Sequence, residues 1–196
     1  MRRFEGVIYL VGFIVSIWLA NWLVTHWGTV RIGDGPWLIL VWLGEFTPSG
    51  NPIYAPSGVL AIGIGFTLRD LVQRRLGVKV VVVAVVVGAL LSAALDTSLA
   101  LASGMAFLIA EVLDLFVYTP LQRRNLIGAA VASNIVGIVV DSIVFLTIAF
   151  GSLALLEGQI IGKALMTLVA IPFVYAIRMW DQKRGLTPTG ADPLLI

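Results

Sequence analysis

Six long apolar segments constrain the fold of this chain more than any other feature. A helix that spans a bilayer needs about 20 mainly apolar residues, and the stretches near this length are 7–26, 57–73, 78–95, 99–118, 126–150 and 160–179. Only 12% of the residues are charged, against about 25% in soluble domains. The sequence therefore predicts an all-α integral membrane protein, in which residues 1–180 form a compact bundle of six transmembrane helices.

The basic residues predict the orientation of this bundle, because they lie in alternate connections. They are Arg2 and Arg3 before the first segment, Arg74, Arg75 and Lys79 after the second, Arg123 and Arg124 after the fourth, and Arg178, Lys183 and Arg184 after the sixth. Basic loops stay in the cytoplasm. We therefore expect a multi-pass protein of the cell (inner) membrane with both termini in the cytoplasm, and a disordered cytoplasmic tail at 181–196.

The longest connection, residues 27–56, is expected on the outer side. It contains four prolines and a short apolar piece at 37–43. That piece is too short to span a bilayer, which predicts a re-entrant or interfacial segment. The connection is a candidate lid over the outer mouth of the bundle.

Several classes of site are excluded by composition. The chain has no cysteine and a single histidine, His26, which argues against disulfides and against thiolate or histidine-rich metal sites. It has no G-x-x-x-x-G-K-[ST] phosphate loop, so it does not hydrolyse ATP by that motif. The basic residues are dispersed in short loops, which argues against nucleic-acid binding. We expect no metal and no cofactor.

Charged and polar side chains inside the apolar segments are energetically costly, and by default they mark a binding site, a pathway or an ion pair. Glu111 and Asp114 are three residues apart in the fourth segment and share one helix face. Asn134 and Asp141 are seven apart in the fifth and also share a face. Lys163 lies in the sixth. Two acids one turn apart repel when both are ionised, so the first pair needs a partner or a proton.

Depth along the helices divides these residues into two sets. A rise of about 1.5 Å per residue predicts an inner group of Glu111, Asp114, Asn134 and Arg69, and an outer group of Asp141, Lys163 and Asp96. Asp141 and Lys163 either neutralise one another in the bundle or belong to a binding site. Arg69 is either interfacial or a ligand-binding residue. All of these interpretations stay open.

Three stretches together resemble a known family. They are FTLRDLV at 66–72, AEVLD at 110–114 and SNIVGIVVDS at 133–142, followed by Phe150-Gly151 and Gly162-Lys163. In order and spacing they resemble the vitamin uptake transporter family, also called queuosine precursor transporters, over about residues 56–177. The resemblance implies a non-enzymatic importer of 7-deazaguanine bases that works without its own ATPase. It points to Asp114 and Asp141 as the acidic positions and to Lys163 as the basic one.

The chemistry of a guanine-like base fits the polar residues. One carboxylate accepts the ring N–H and the exocyclic amine together, Asn134 or Lys163 donates to the carbonyl, and an aromatic ring such as Trp18 packs on the flat face. The candidate substrate-binding residues are Glu111, Asp114, Asn134, Asp141, Lys163, Arg69, Phe107 and Phe145.

Two other functions remain open. Six short helices and a long first outer loop also resemble the substrate-binding subunit of an energy-coupling-factor vitamin transporter, so an ATPase module is not required and not excluded. Paired acids among Glu111, Asp114 and Asp141 are compatible with an intramembrane hydrolase, although no protease motif accompanies them. The small residues Ser133 and Gly137 permit a homodimer.

Overall fold

The computed structural model describes residues 2–31, 33, 35–42, 52–122 and 126–183. Over these residues it has six helices and one small sheet. The elements are α1 (Arg2–His26), β1 (Val30–Arg31), β2 (Trp37–Trp42), β3 (Ile53–Pro56), α2 (Val59–Leu76), α3 (Val78–Ala93), α4 (Thr97–Gln122), α5 (Leu126–Phe150) and α6 (Leu156–Lys183). The predicted helical bundle is confirmed, with one helix at each of the six apolar segments. Helix α6 runs three residues into the segment predicted as a tail, and residues 184–196 lie outside the described part of the chain.

The helix ends follow local chemistry. Gly77 lies between α2 and α3 at a φ of 88°, a left-handed conformation that favours glycine. Its N–H donates to the Gln73 carbonyl at 2.9 Å and closes the last turn of α2. At the start of α4, the Leu99 N–H donates to Asp96 Oδ1 at 2.9 Å. Asp96, which the sequence placed by depth with Asp141 and Lys163, thus caps a helix.

The bundle core has two parts. In the first, Phe13 and Ile17 of α1 pack with Val72 of α2 and with residues of α3, among them Val81. In the second, Val24 of α1 packs with α4 and α5 through Ala102, Ala106 and Leu146. Helix α1 therefore contributes to both clusters and lies between the α2–α3 hairpin and the α4–α5 pair.

Glycines allow close approach between helices. A Cβ atom on Gly63 of α2 would overlap Met166 of α6, and one on Gly88 of α3 would lie 2.9 Å from Ile17 Cδ1. Small residues let helix backbones come near each other in membrane bundles. Packing between helices therefore accounts for Gly63 and Gly88.

The connection after α1 forms a three-stranded antiparallel sheet in the order β1-β2-β3. The apolar piece at 37–43, for which we expected a re-entrant or interfacial segment, forms strand β2 as far as Trp42. Its backbone is paired with β3, and Ile39 and Ala55 pack against Val59 at the start of α2. Residues 43–51 of this connection lie outside the described part of the chain.

Large apolar side chains are exposed on the outer faces of the helices. Phe116 of α4 is 73% exposed and Leu90 of α3 is 69% exposed. Among the described residues, one helical stretch, Glu5–His26, is long and apolar enough to cross a membrane, and the apolar stretches Val78–Ala93, Thr97–Ala110 and Ile135–Phe150 are shorter. Soluble monomers rarely leave apolar patches of this extent open to water.

Candidate functional site

A cavity lies among the helices of the bundle and has a volume of about 560 Å³, including its open mouth. Its walls are mainly apolar. Five polar side chains also line it: Asn21 of α1, Ser103 of α4, Asp141 of α5, and Gln159 and Lys163 of α6. Small-molecule sites typically combine apolar walls with a few convergent polar groups. The cavity has this character.

The strongest polar interaction in the cavity joins Lys163 to Asp141. Lys163 Nζ donates to Asp141 Oδ2 at 2.5 Å and to Ser142 Oγ at 2.9 Å. The two charged side chains are 2% and 8% exposed. Ser142 donates in turn to the Ile138 carbonyl at 2.7 Å, which fixes its hydroxyl. The structure thus pairs the two charges, and each would be a costly isolated ion without the other.

Gln159 lies one helical turn before Lys163, so both side chains project from the same face of α6. It is 3% exposed and lines the cavity. Its Oε1 atom has no hydrogen-bond partner among the described residues. An unpaired buried acceptor typically costs about 1–3 kcal/mol of stability. Gln159 therefore contains a polar atom that the fold leaves unsatisfied.

Asn21 and Ser103 link α1 to α4 at the cavity wall. Ser103 Oγ donates to Asn21 Oδ1 at 3.0 Å, and Asn21 Nδ2 donates to the Ile17 carbonyl at 3.2 Å. Asn21 is almost fully buried. Its carboxamide is therefore held in place from both ends.

Phe107 and Phe145 form part of the apolar wall. Each is held by a second ring: Phe107 lies 5.8 Å from Phe13, centroid to centroid, and Phe145 makes an edge-to-face contact with Phe150 at 5.6 Å. Such pairs add to the energy of burial and fix the ring planes. Trp18, the third aromatic candidate, stacks on Trp22 at 6.5 Å and is not among the lining residues.

The structure brings together half of the predicted site residues. Asp141, Lys163, Phe107 and Phe145 all line the cavity, whereas Arg69 is buried in α2 and does not. The other three predicted residues are Glu111, Asp114 and Asn134, and their side chains lie outside the described part of the structure. Their proposed roles stay predictions.

Among the described residues, three polar ones that line the cavity were not predicted from sequence: Asn21, Ser103 and Gln159. A neutral polar residue in an apolar segment is less costly than a charge and therefore gives a weaker signal. Gln159 had the clearest signal, because it precedes Lys163 by four residues and so shares its helix face. Among the described residues, no group of three or more His, Asp or Glu side chains is placed to hold a metal ion.

Comparison with known proteins gives a match to a family model. Residues 94–177 match the model of a family described as "Putative vitamin uptake transporter". No curated protein and no solved structure matches the chain significantly. The matched segment covers α4, α5 and most of α6, and so contains both Asp141 and Lys163. The resemblance to the vitamin uptake transporter family is therefore confirmed over residues 94–177.

Proposed function

We propose that the chain imports a queuosine precursor, a 7-deazaguanine base, across the inner membrane and that the cavity is its binding site. The observation that carries this proposal is the buried Lys163–Asp141 pair, which lies in the wall of an apolar cavity beside two phenyl rings. Intramembrane charges that line a cavity are a feature of substrate pathways.

The donors and acceptors left over in this wall match a guanine-like base. Two of the three Lys163 N–H groups are bonded to described residues, so the third remains for a carbonyl oxygen. Among the described donors, none is bonded to the Oδ1 atom of Asp141, which remains for a ring N–H or an exocyclic amine. The rings of Phe107 and Phe145 supply flat apolar surface for the base.

The proposed transporter spans the bilayer six times, with both termini in the cytoplasm. Three features support this arrangement: the six helices, the apolar side chains exposed on their outer faces, and the alternation of basic loops. The sequence contains no phosphate-loop motif, which supports transport without an ATPase of its own. The likeness to a transporter family favours this role over the hydrolase.

A substrate-binding subunit of an energy-coupling-factor transporter is the second candidate. The observation that favours it is the sheet, which packs against the start of α2, and whose last residue, Pro56, lines the cavity. A sheet at the cavity wall suits a protein that retains its ligand until a partner acts. Co-purification of the chain with an ATPase module would support this candidate, whereas uptake by the isolated chain in liposomes would exclude it.

The first test is queuosine in transfer RNA, measured in cells that neither synthesise nor import the base. With low external precursor, expression of the chain is expected to restore the modification. Asp141→Asn is expected to abolish it, because the carboxylate that pairs with Lys163 and faces the base is lost. Asp96→Asn is the matched control, since Asp96 caps α4 and does not line the cavity.

Two outcomes would contradict the proposal. If the chain inserts in the membrane and the modification is not restored, the substrate is a different one or a partner is missing. If Asp114→Asn and Asp141→Asn both leave uptake intact, the site is wrong even though the substrate is right.

A further inference from the structure

We propose that Gln159 selects the ligand, and that the ligand is an uncharged planar heterocycle that donates an N–H to its side-chain oxygen. This inference rests on the proposed function, in that it takes the cavity to be the transport site. It adds Gln159 to the site and requires the ligand to be uncharged. The Lys163–Asp141 pair alone supplies neither.

Hydrogen bonding in the cavity sets Gln159 apart from the other described polar residues. Lys163 is bonded to Asp141 and Ser142, and Asn21 is bonded to Ser103. Among the described side chains that line the cavity, Gln159 alone has a buried polar atom with no protein partner. Buried polar groups are almost always bonded, and an exception in a cavity wall indicates a group reserved for a ligand or a water.

Helix α6 packs closely against its neighbours on both sides of Gln159. A Cβ atom on Gly158 would overlap the Tyr54 carbonyl of strand β3, and one on Gly162 would lie 2.9 Å from Val59 Cγ2. The backbone that carries Gln159 is therefore packed directly against other elements. This packing fixes the position from which the Gln159 side chain enters the cavity wall, and a fixed backbone lowers the cost of binding.

The described charges of the cavity balance one another. Among the described residues that line the cavity, Asp141 and Lys163 are the charged ones, and they form an ion pair. A charged ligand would meet no unpaired counter-charge among these residues and would lose its hydration, which is strongly unfavourable in an apolar site. A neutral ligand avoids this penalty, and its N–H satisfies the Gln159 oxygen.

The experiment is a binding titration of 7-deazaguanine to the full chain in lipid nanodiscs. Gln159→Leu keeps the size of the side chain and removes the acceptor, so the Kd is expected to rise about tenfold, the usual worth of one neutral hydrogen bond. The matched control is Gln73→Leu, because Gln73 lies in α2 and does not line the cavity. Its Kd is expected to equal that of the wild type.

Methylated ligands locate the partner of Gln159. The 1-methyl and 9-methyl derivatives of 7-deazaguanine each lack one ring N–H. One of them is expected to bind the wild type about tenfold more weakly than the parent base does. Its affinity for Gln159→Leu is expected to equal its affinity for the wild type, because the same hydrogen bond is already lost.

The melting temperature of ligand-free Gln159→Leu is expected to be no lower than that of the wild type, because an unpaired acceptor has been removed. Gln159→Met serves as a second variant if the leucine variant folds poorly.

The outcomes separate this inference from the proposed function. Equal affinity of 7-deazaguanine for the wild type and Gln159→Leu would overturn the inference and leave the function standing. If the wild type does not bind 7-deazaguanine, the proposed substrate fails, and the same variants are titrated with neutral N–H heterocycles, carboxylates and amines. Loss of a neutral ligand in Gln159→Leu would then support the inference, whereas binding of charged compounds alone, or of none, would overturn it.

Discussion

Lys163 is the residue on which the charge balance of the cavity depends. It is 2% exposed, and its ammonium group has Asp141 as its counter-ion. Removing one member of a buried pair leaves the other as an uncompensated charge, whereas removing both is much less harmful. The two substitutions therefore separate the role of the pair in folding from its role in transport.

We expect Lys163→Met to lower the free energy of unfolding by about 3–5 kcal/mol. The double variant Lys163→Met/Asp141→Leu is expected to recover most of that loss and still to lack uptake. Denaturation of the purified protein in mild detergent measures the first effect, and precursor uptake measures the second. Lys79→Met is the control, because Lys79 is exposed at the start of α3. A stable single variant, or uptake by the double variant, would contradict this role.

At the residue scale, the sequence predicted the charged residues of the cavity better than the neutral polar residues beside them. Asp141, Lys163, Phe107 and Phe145 were all chosen from sequence and all line the cavity. A charge in an apolar segment is conspicuous because it is costly. A neutral side chain such as Ser103 is not conspicuous in the sequence, because its role depends on the residue of another helix that it contacts. Asp96 is the opposite case. Its position near the outer charges suggested a site, but its hydrogen bond caps α4.

At the scale of elements, packing between helices depends on where a glycine faces. A Cβ atom on Gly63 would overlap Met166, whereas one on Gly137 of α5 would meet no described atom within 4 Å. From sequence, the small residues Ser133 and Gly137 permit a homodimer, and this stays a prediction. Within the described structure, close approach between α2 and α6 occurs at Gly63.

We expect Gly63→Ala to destabilise the protein by about 1–3 kcal/mol, because the added methyl group forces α2 and α6 apart. Gly137→Ala makes the same change in open space, and it is expected to be neutral or to stabilise by up to about 1 kcal/mol through helix propensity. Thermal unfolding of both variants in the same detergent gives the comparison. Equal melting temperatures would show that the α2–α6 interface adapts without loss.

The elements differ in how far sequence could predict them. A run of about 20 apolar residues is a local property, so all six helices could be placed from sequence. The sheet could not be, because strand β2 gains its partner β3 only through the fold of the whole connection. The ends of α6 also extend beyond the apolar run, to Leu156 and Lys183, since a helix continues past its apolar section through polar residues.

At the scale of the molecule, the bundle is apolar outside and has its charged pair inside. Exposed side chains such as Leu90 and Phe116 lie on the surface, while Lys163 and Asp141 are buried. The exterior is therefore suited to hydrocarbon, and the polar contacts are protected from it. The cavity could not be predicted from sequence as a shape, because its walls come from separate helices and from the end of a strand.

The proposed orientation can be tested because the natural chain has no cysteine. A membrane-impermeant maleimide is expected to label Ser152→Cys, in the outer connection after α5, on intact cells. Lys183→Cys, at the end of α6, is expected to react only after the cells are permeabilised. Both positions are exposed, so access to reagent depends on the side of the membrane. Labelling in the reverse pattern would overturn the charge-based topology.

The close approach of Gly158 to the Tyr54 carbonyl bears on how the sheet can move relative to α6. Backbone meets backbone there, without a side chain between them to change rotamer and absorb a displacement. We therefore expect strand β3 and the first turn of α6 to move together, so that a displacement of the sheet also displaces the helix that carries Gln159 and Lys163.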